Sequence, residues 1–232
     1  MSGFVVDSSL KARIRGAVIF GVVVLGALYL GGIAFILLMI AAAGIGIYEW
    51  LRMVRLENKI YFRIPLLMFG IAYIGIACAV MAWLRVGTPY GLYNMLTLLL
   101  IVWASDISAY FSGRAIGGPK LAPKISPKKT WAGFIGSSVG AGLVAAALAC
   151  PELLAKFSVD TVGQMTPLGY GLMGFLLAMF GQMGDLFISV FKRRYGVKDT
   201  GTIIPGHGGV LDRIDALLLV SIMFGLIVIF FA

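Results

Sequence analysis

Apolar runs of about twenty residues, broken by short charged loops, set the pattern of this chain. A bilayer-spanning helix needs about 20 mostly apolar residues. The runs between charges predict spans near 17–30, 33–51, 64–84, 92–112, 131–150, 167–189 and 212–231. The expected fold is therefore all-α: a polytopic membrane protein of about seven transmembrane helices. One membrane-embedded domain, 1–232, accounts for the whole length, with N-terminal spans over 1–90 and the distinctive chemistry in 91–232. Residues 16–48 carry no charge, which is too long for one helix of about 20 residues, so the chain is predicted to turn at Gly31-Gly32.

Composition strengthens the membrane reading. The chain of 232 residues is 60% hydrophobic and 12% charged, with a mean hydropathy of +1.00, which excludes an ordinary soluble domain. The net charge of +9 does not point to nucleic acid, because the basic residues sit in short clusters between apolar runs. Such clusters belong to loops that face anionic lipid or bind phosphate. Positive charge also tests the first turn. With a turn at Gly31-Gly32 and a cytosolic N-terminus, all of the 19 lysines and arginines except Arg85 and Lys156 fall on the cytosolic side. A single long helix would instead move Lys11, Arg13 and Arg15 outside. Either way, the loops at 113–130 and 190–211 are expected to face the cytosol, and the expected location is the cytoplasmic (inner) membrane of a bacterium. Cys78 and Cys150 lie in or at the end of apolar runs without paired ligand spacing, so neither a disulfide framework nor a zinc site is indicated.

Several polar groups stand where lipid is expected. Asp106 in VWASDISAYF, Asp185 in FGQMGDLFIS, and Asp212 with Asp215 in VLDRIDALLL fall within or at the ends of spans. An acidic residue at a span centre costs roughly 2.5 to 3.5 kcal/mol on insertion scales, so each must be paired, solvated or bound to a cation. Helical spacing puts Asp212 and Asp215 on one side of a helix, aligns Gln182, Asp185 and Ser189, and repeats that alignment in Trp103, Asp106 and Tyr110. Three helices can thus point carboxylates into one polar cavity on the cytosolic side. For Asp212 alone, pairing with Arg213 or capping the helix is an equal reading.

Clustered carboxylates opposite basic loops suit a hard dication with an anionic substrate, since Mg2+ takes one or two carboxylates plus phosphate oxygens. The anion half is the KISPKKT stretch, where Lys124, Lys128, Lys129, Ser126 and Thr130 lead into a span near Trp131. Backbone N–H groups at that helix start would add to the hydroxyl and ammonium groups. Alone, a lysine-rich loop is more often an orientation signal or lipid-surface patch, and it is the carboxylates that shift the balance. In PGHGG, Gly206, Gly208 and Gly209 allow main-chain N–H groups to approach an anion. His207, the only histidine, is compatible with a structural role.

The stretch SVFKRRYGVKDTGTIIPGHGGVLDRID, Ser189 to Asp215, resembles the signature of the phosphatidate cytidylyltransferase, or CDP-diacylglycerol synthase, family. DISAYFSGRAIG, LAPKISPKKTWAG and GDLFIS agree in order, so the resemblance covers about the C-terminal 130 residues, and the N-terminal spans only by hydropathy. One departure is Ala132, where that family usually has Glu, so no carboxylate acts there. The resemblance implies a Mg2+-dependent transfer of CMP from CTP to phosphatidate, giving CDP-diacylglycerol and pyrophosphate, with a second cation and a homodimer left open. It implies Asp185 and Asp215 as Mg2+ ligands, with Asp212 as a third ligand or an outer partner. Lys128, Lys129 and Lys198 would hold the triphosphate or lipid phosphate, with Ser126, Thr130, Lys192, Arg193, Gly206, Gly208 and Gly209 also on the substrate side. Arg213 would pair with a phosphate or an aspartate, Asp199 and His207 would orient loop or substrate groups, and Asp106 would pair with Arg114. Two other readings compete: a CTP-dependent lipid-alcohol kinase, whose products would be a phosphorylated lipid and CDP, and an ion-coupled transporter, which would need polar residues through the bilayer and repeated halves.

Overall fold

A computed structural model describes residues 8–156, 165–204 and 208–231. It is built on helices: α1 (Ser8–Leu30), α2 (Gly32–Val54), α3 (Ile60–Val86), α4 (Gly91–Ala115), α5 (Trp131–Leu148), the short α6 (Pro151–Lys156), α7 (Pro167–Arg194) and α8 (Leu211–Phe231). Six of them, α2 to α5, α7 and α8, are long and apolar enough to cross a membrane. The apolar part of α1 is shorter, Val18–Leu30. It falls on the first of the predicted spans but is shorter than a crossing needs, so the all-α polytopic expectation holds, with six of the seven predicted spans met by length and composition.

The predicted turn lies where the apolar run was too long for one helix. Gly31 and Gly32 take φ of 63° and 48°, a left-handed backbone that glycine adopts at little cost. Arg85, at the end of α3, closes the turn by donating from Nε to the carbonyl of Leu28 at 2.8 Å. Arg85 thus serves the C-terminal carbonyls of α1.

One segment expected as loop is ordered as a hairpin. Strand β1 (Lys120–Ala122) pairs antiparallel with β2 (Ser126–Thr130), Lys120 opposite Thr130 and Ala122 opposite Ser126, with an irregularity between. The hairpin delivers Thr130 as N-cap of α5, its Oγ1 accepting from Gly133 N at 3.1 Å. α7 begins the same way, with Thr166 accepting from Gly169 N and Pro167 in the first turn.

The bundle packs in sequence from α4 to α8, α5 lying on both α4 and α7, while α8 also packs on α3. Small residues let the backbones approach: a Cβ at Gly136 or Gly140 would run into Ser112 or Ser108 of α4. Fully buried Trp50, Ile74, Leu98, Leu177, Leu211 and Leu218 form the centre, drawn from α2, α3, α4, α7 and α8. Next to them an aromatic cluster of Trp50, Phe69, Tyr73, Phe187 and Phe191 joins α2, α3 and α7, the Trp50 and Phe191 rings meeting edge-on at 4.9 Å. The C-terminal half of α7 is thereby anchored from the side facing away from its carboxylate.

Candidate functional site

A cavity of about 180 Å³ opens where α4, the β-hairpin, the start of α5 and the middle of α7 meet. Its polar lining is Asp106, Tyr110, Lys128, Lys129, Gln182 and Asp185. Lys129 Nζ lies 2.7 Å from Asp185 Oδ2, and Asp185 Oδ1 accepts from Ser189 Oγ at 3.2 Å. The predicted alignment of Gln182, Asp185 and Ser189 is thus realised on one face of α7. Thr130 also lines the cavity, although its hydroxyl is engaged as the helix cap.

A second polar centre adjoins the first through α8. Asp212 Oδ1 accepts from Lys192 Nζ at 2.7 Å. Its Oδ2 accepts from Thr200 N at 2.8 Å and Gly209 N at 3.0 Å. The Thr200 hydroxyl lies 3.0 Å from this same oxygen and 3.0 Å from Glu49 Oε2, and its single proton serves one of them at a time. Glu49 is fully buried. It also accepts from Val210 N at 3.0 Å and Leu211 N at 2.8 Å, the free N–H groups that open α8. Side chains at Gly201 or Gly209 would collide with the Glu49 carboxylate, so this loop closes only with glycine there.

Glu49 is the functional-region residue that the intramembrane acids of the sequence reading omit. The signal was present: Glu49 is the one acidic residue inside the predicted span 33–51, and an ionisable group at that depth calls for a partner.

Asp215, three residues on, lies on the same side of α8, also toward α7. It is buried, and its Oδ1 accepts from the backbone N of Ala216 at 2.8 Å. α7 and α8 approach closely here, since a Cβ at Gly184 would stand 2.8 Å from the Asp215 carbonyl oxygen. Asp185 follows Gly184 on α7, so the two carboxylates belong to facing stretches of α7 and α8. The i, i+3 pair of α8 is therefore divided: Asp212 is bound into the loop, and Asp215 is opposed to a second carboxylate.

Other expected residues are distributed more widely. Asp106 belongs to the cavity, not to Arg114, which instead donates from Nη1 to the Tyr110 hydroxyl at 2.8 Å. The physical reason is register: Tyr110 and Arg114 are one turn apart on α4, and Asp106 lies two turns away from Arg114. Arg193 ties α7 to the hairpin by donating from Nε to the carbonyl of Ile125 at 3.1 Å. Ser126 is engaged in strand pairing, and Lys198 and Asp199 are exposed on the loop after α7. Gly208, with φ of 85°, packs beside Asp199 and Asp212. Gly206 and His207 lie outside the described residues. Arg213 lines an otherwise apolar groove among α1, α2, α3, α4 and α8.

At the rim, Arg194 Nη2 pairs with Glu57 Oε2. The Lys59 backbone N–H and then Arg194 hold the Glu57 carboxyl below the usual range, while burial and the Glu57 charge push the Tyr195 hydroxyl up.

The donor set can be tested against Mg2+. Among the described residues no three His, Cys, Asp or Glu form a ready-made cage. A buried carboxylate opposed to a second one nonetheless suits an ion that takes one or two protein carboxylates and completes its shell with phosphate and water. Asp215, which takes a single N–H, and Asp185, whose partners are the side chains of Lys129 and Ser189, fit that description better than Asp212, whose oxygens take an ammonium, two backbone N–H groups and a shared hydroxyl.

A family model described as "Cytidylyltransferase family" matches residues 58–231. Proteins named phosphatidate cytidylyltransferase are similar along nearly the whole chain. The one from Brucella abortus biovar 1 is 34% identical over 90% of this chain and 90% of its own. That from Rickettsia bellii is 36% identical over 92% and 88%, and that from Rickettsia conorii 34% identical over 96% and 93%.

Proposed function

The chain belongs to the cytidylyltransferase family, and from that premise we propose that it transfers CMP from CTP to phosphatidate, forming CDP-diacylglycerol and pyrophosphate. In this reaction a phosphate oxygen of the lipid attacks the α-phosphorus of CTP in line, the bond to the β-phosphate oxygen breaks, and pyrophosphate leaves. The nucleophile needs no strong base, because a phosphate monoester with a second pKa of about 6 is mostly dianionic at neutral pH. The barrier is the approach of two polyanions, so positioning and charge neutralisation dominate.

The observation that carries the reading is the juxtaposition of Lys128 and Lys129 with Asp185 in one cavity, and of Asp215 across the α7–α8 contact. We assign Asp185 and Asp215 to Mg2+, which when bound would neutralise phosphate charge. Lys129, now paired with Asp185, turns to a substrate phosphate, and Lys128 beside it does the same. Asp212, paired with Lys192, ties Thr200 and Gly209 to the start of α8, which fixes the position of Asp215 in the second turn of that helix. The side of the bundle carrying these groups also carries nearly all of the lysines and arginines, which supports a cytosol-facing site in the inner membrane.

The test is product identity. Purified protein given radiolabelled CTP, phosphatidate and Mg2+ in detergent is expected to yield labelled CDP-diacylglycerol and unlabelled pyrophosphate when the label is on the α-phosphate. CDP with a newly phosphorylated lipid would instead establish the kinase, and no turnover in the presence of Mg2+ would remove the enzyme reading.

A further inference from the structure

The carboxylate cavity contains one buried polar side chain that the resting protein does not use. Thr130 caps α5, the Tyr110 hydroxyl accepts from Arg114, and Lys129 is held by Asp185. Asp106, Lys128 and Gln182 line the same cavity and hydrogen-bond to no described residue. Asp106 and Lys128 are exposed, so water can serve them. Gln182 is only 6% exposed. A buried amide without a protein partner is a standing cost to the fold, and a site that keeps one has a use for it.

The backbone holds this side chain in place. Gly181 and Gly184 flank it closely in sequence, and a Cβ at either would press on α8, at Val220 or at the carbonyl of Asp215. With α7 seated on α8 in this way, the Gln182 side chain lines the cavity together with Lys128, Lys129 and Asp185. Gln182 is three residues before Asp185, so the two side chains are neighbours on one helix face. The amide thus stands next to the carboxylate assigned to Mg2+ and in the same space as the lysines assigned to phosphate.

Chemistry narrows the ligand. An amide NH2 offers two N–H donors and no charge. In the proposed reaction the charge of the triphosphate is met by ammonium groups, whereas the non-bridging oxygens of the α-phosphate carry the reacting centre's charge as the lipid phosphate attacks. A neutral donor already fixed beside such an oxygen contributes most when charge develops there and little to ground-state binding.

We propose that Gln182 is a further catalytic residue, its Nε2 donating a hydrogen bond to a non-bridging oxygen of the CTP α-phosphate during transfer. The proposal rests on the cytidylyl-transfer reading for the identity of the substrate. In Gln182→Met, a side chain of similar length that donates nothing, kcat is expected to fall about a hundredfold, as on loss of one donor to a developing oxyanion. The KM for CTP should move less than about threefold. The variant should unfold within about 2 °C of the parent or above it, since no protein partner is lost. An unchanged kcat, a loss expressed in KM alone, or a larger fall in unfolding temperature overturns the proposal.

Sulfur substitution locates the contact. Of the two diastereomers of CTP with sulfur at a non-bridging α-position, one should react at least about tenfold more slowly than CTP with the parent and lose that penalty in Gln182→Met. Sulfur accepts weakly, and both changes remove the same hydrogen bond, so their effects do not add. Penalties that are the same in parent and variant for both diastereomers overturn the proposal. A variant that has lost its preference for CTP over UTP would move the amide to the base and also overturn it. A parent that makes no CDP-diacylglycerol removes the reaction and this proposal together, whereas a variant that matches an active parent removes the proposal alone.

Discussion

Asp212 and Asp215 are three residues apart on one helix and have opposite circumstances. Asp212 is surrounded by donors: an ammonium, two backbone N–H groups and a shared hydroxyl. Asp215 is buried, receives the N–H of Ala216, and lies across a close helix contact from the stretch of α7 that carries Asp185. A carboxylate whose lone pairs are filled by its own chain stabilises a fold, while one held against a like charge has binding capacity left over. The difference separates the residue that positions the site from the one that works in it, although sequence spacing gives them equal standing.

The largest effect that would break this distinction concerns activity. Asp215→Asn and Asp185→Asn are expected to lower kcat by about a thousandfold or more, as loss of a charge-positioning group does in phosphoryl chemistry. Thermal unfolding in detergent should be little changed for Asp185→Asn, because the Lys129–Asp185 pair is partly exposed, with side-chain exposures of 19% and 35%. An Asp215→Asn enzyme with full activity would remove Asp215 from the metal assignment.

Next in size is a stability effect on the other aspartate. Lys192 and Asp212 are buried, at 10% and 5% side-chain exposure. Lys192→Met leaves the carboxylate without its countercharge and should cost about 3 kcal/mol of stability, near the lower end for a broken buried pair. A double substitution with Asp212→Asn should recover much of that loss, since it removes the uncompensated charge. If Lys192→Met unfolds at the parent temperature, the loop is not held by this pair.

Glu49 sharpens the same contrast from outside the matched C-terminal region. Glu49→Gln keeps the shape but turns an amide NH2 toward one of the two N–H groups of Val210 and Leu211 that the carboxylate now satisfies. The cost should be about 2 kcal/mol, measured as a lower unfolding temperature. The KM for CTP should rise with it if the α8 start is displaced, and Glu49→Asp should recover little, being one methylene too short to reach both donors.

The spans were legible because apolar runs and charge breaks are local properties. The turn at Gly31-Gly32 followed from the length of the uncharged run, its glycine pair and the distribution of lysine and arginine. The hairpin was not legible, since SPKKT has neither alternating apolar residues nor a turn signal and contains a proline that strands usually avoid. The site's carboxylates were visible as polar groups in lipid, yet their partners were not. Glu49 meets Leu211 across 162 positions of chain, and Lys192 meets Asp212 across 20. Only the packing of α2 and α7 on α8 brings those groups together, and that packing also decides which face of α8 meets α7.

The smallest effect tests whether burial is what gives the inner pairs their weight. Arg194 and Glu57 form an ion pair at the rim, with the arginine side chain 48% exposed. The Lys59 N–H and Arg194 hold the Glu57 carboxyl below its ordinary value of about 4.3. A carboxyl depressed in this way contributes stability above its unfolded pKa and loses it as pH falls through the lower folded value. Glu57→Gln should therefore lower the unfolding temperature slightly at neutral pH and low salt. The difference from the parent should shrink as pH falls below about 4, and also in about 1 M salt, where the screening length is about 3 Å. A shift as large as that of Lys192→Met, or one insensitive to salt, would mean that the rim pair is shielded as the inner pair is, and burial would no longer separate the two.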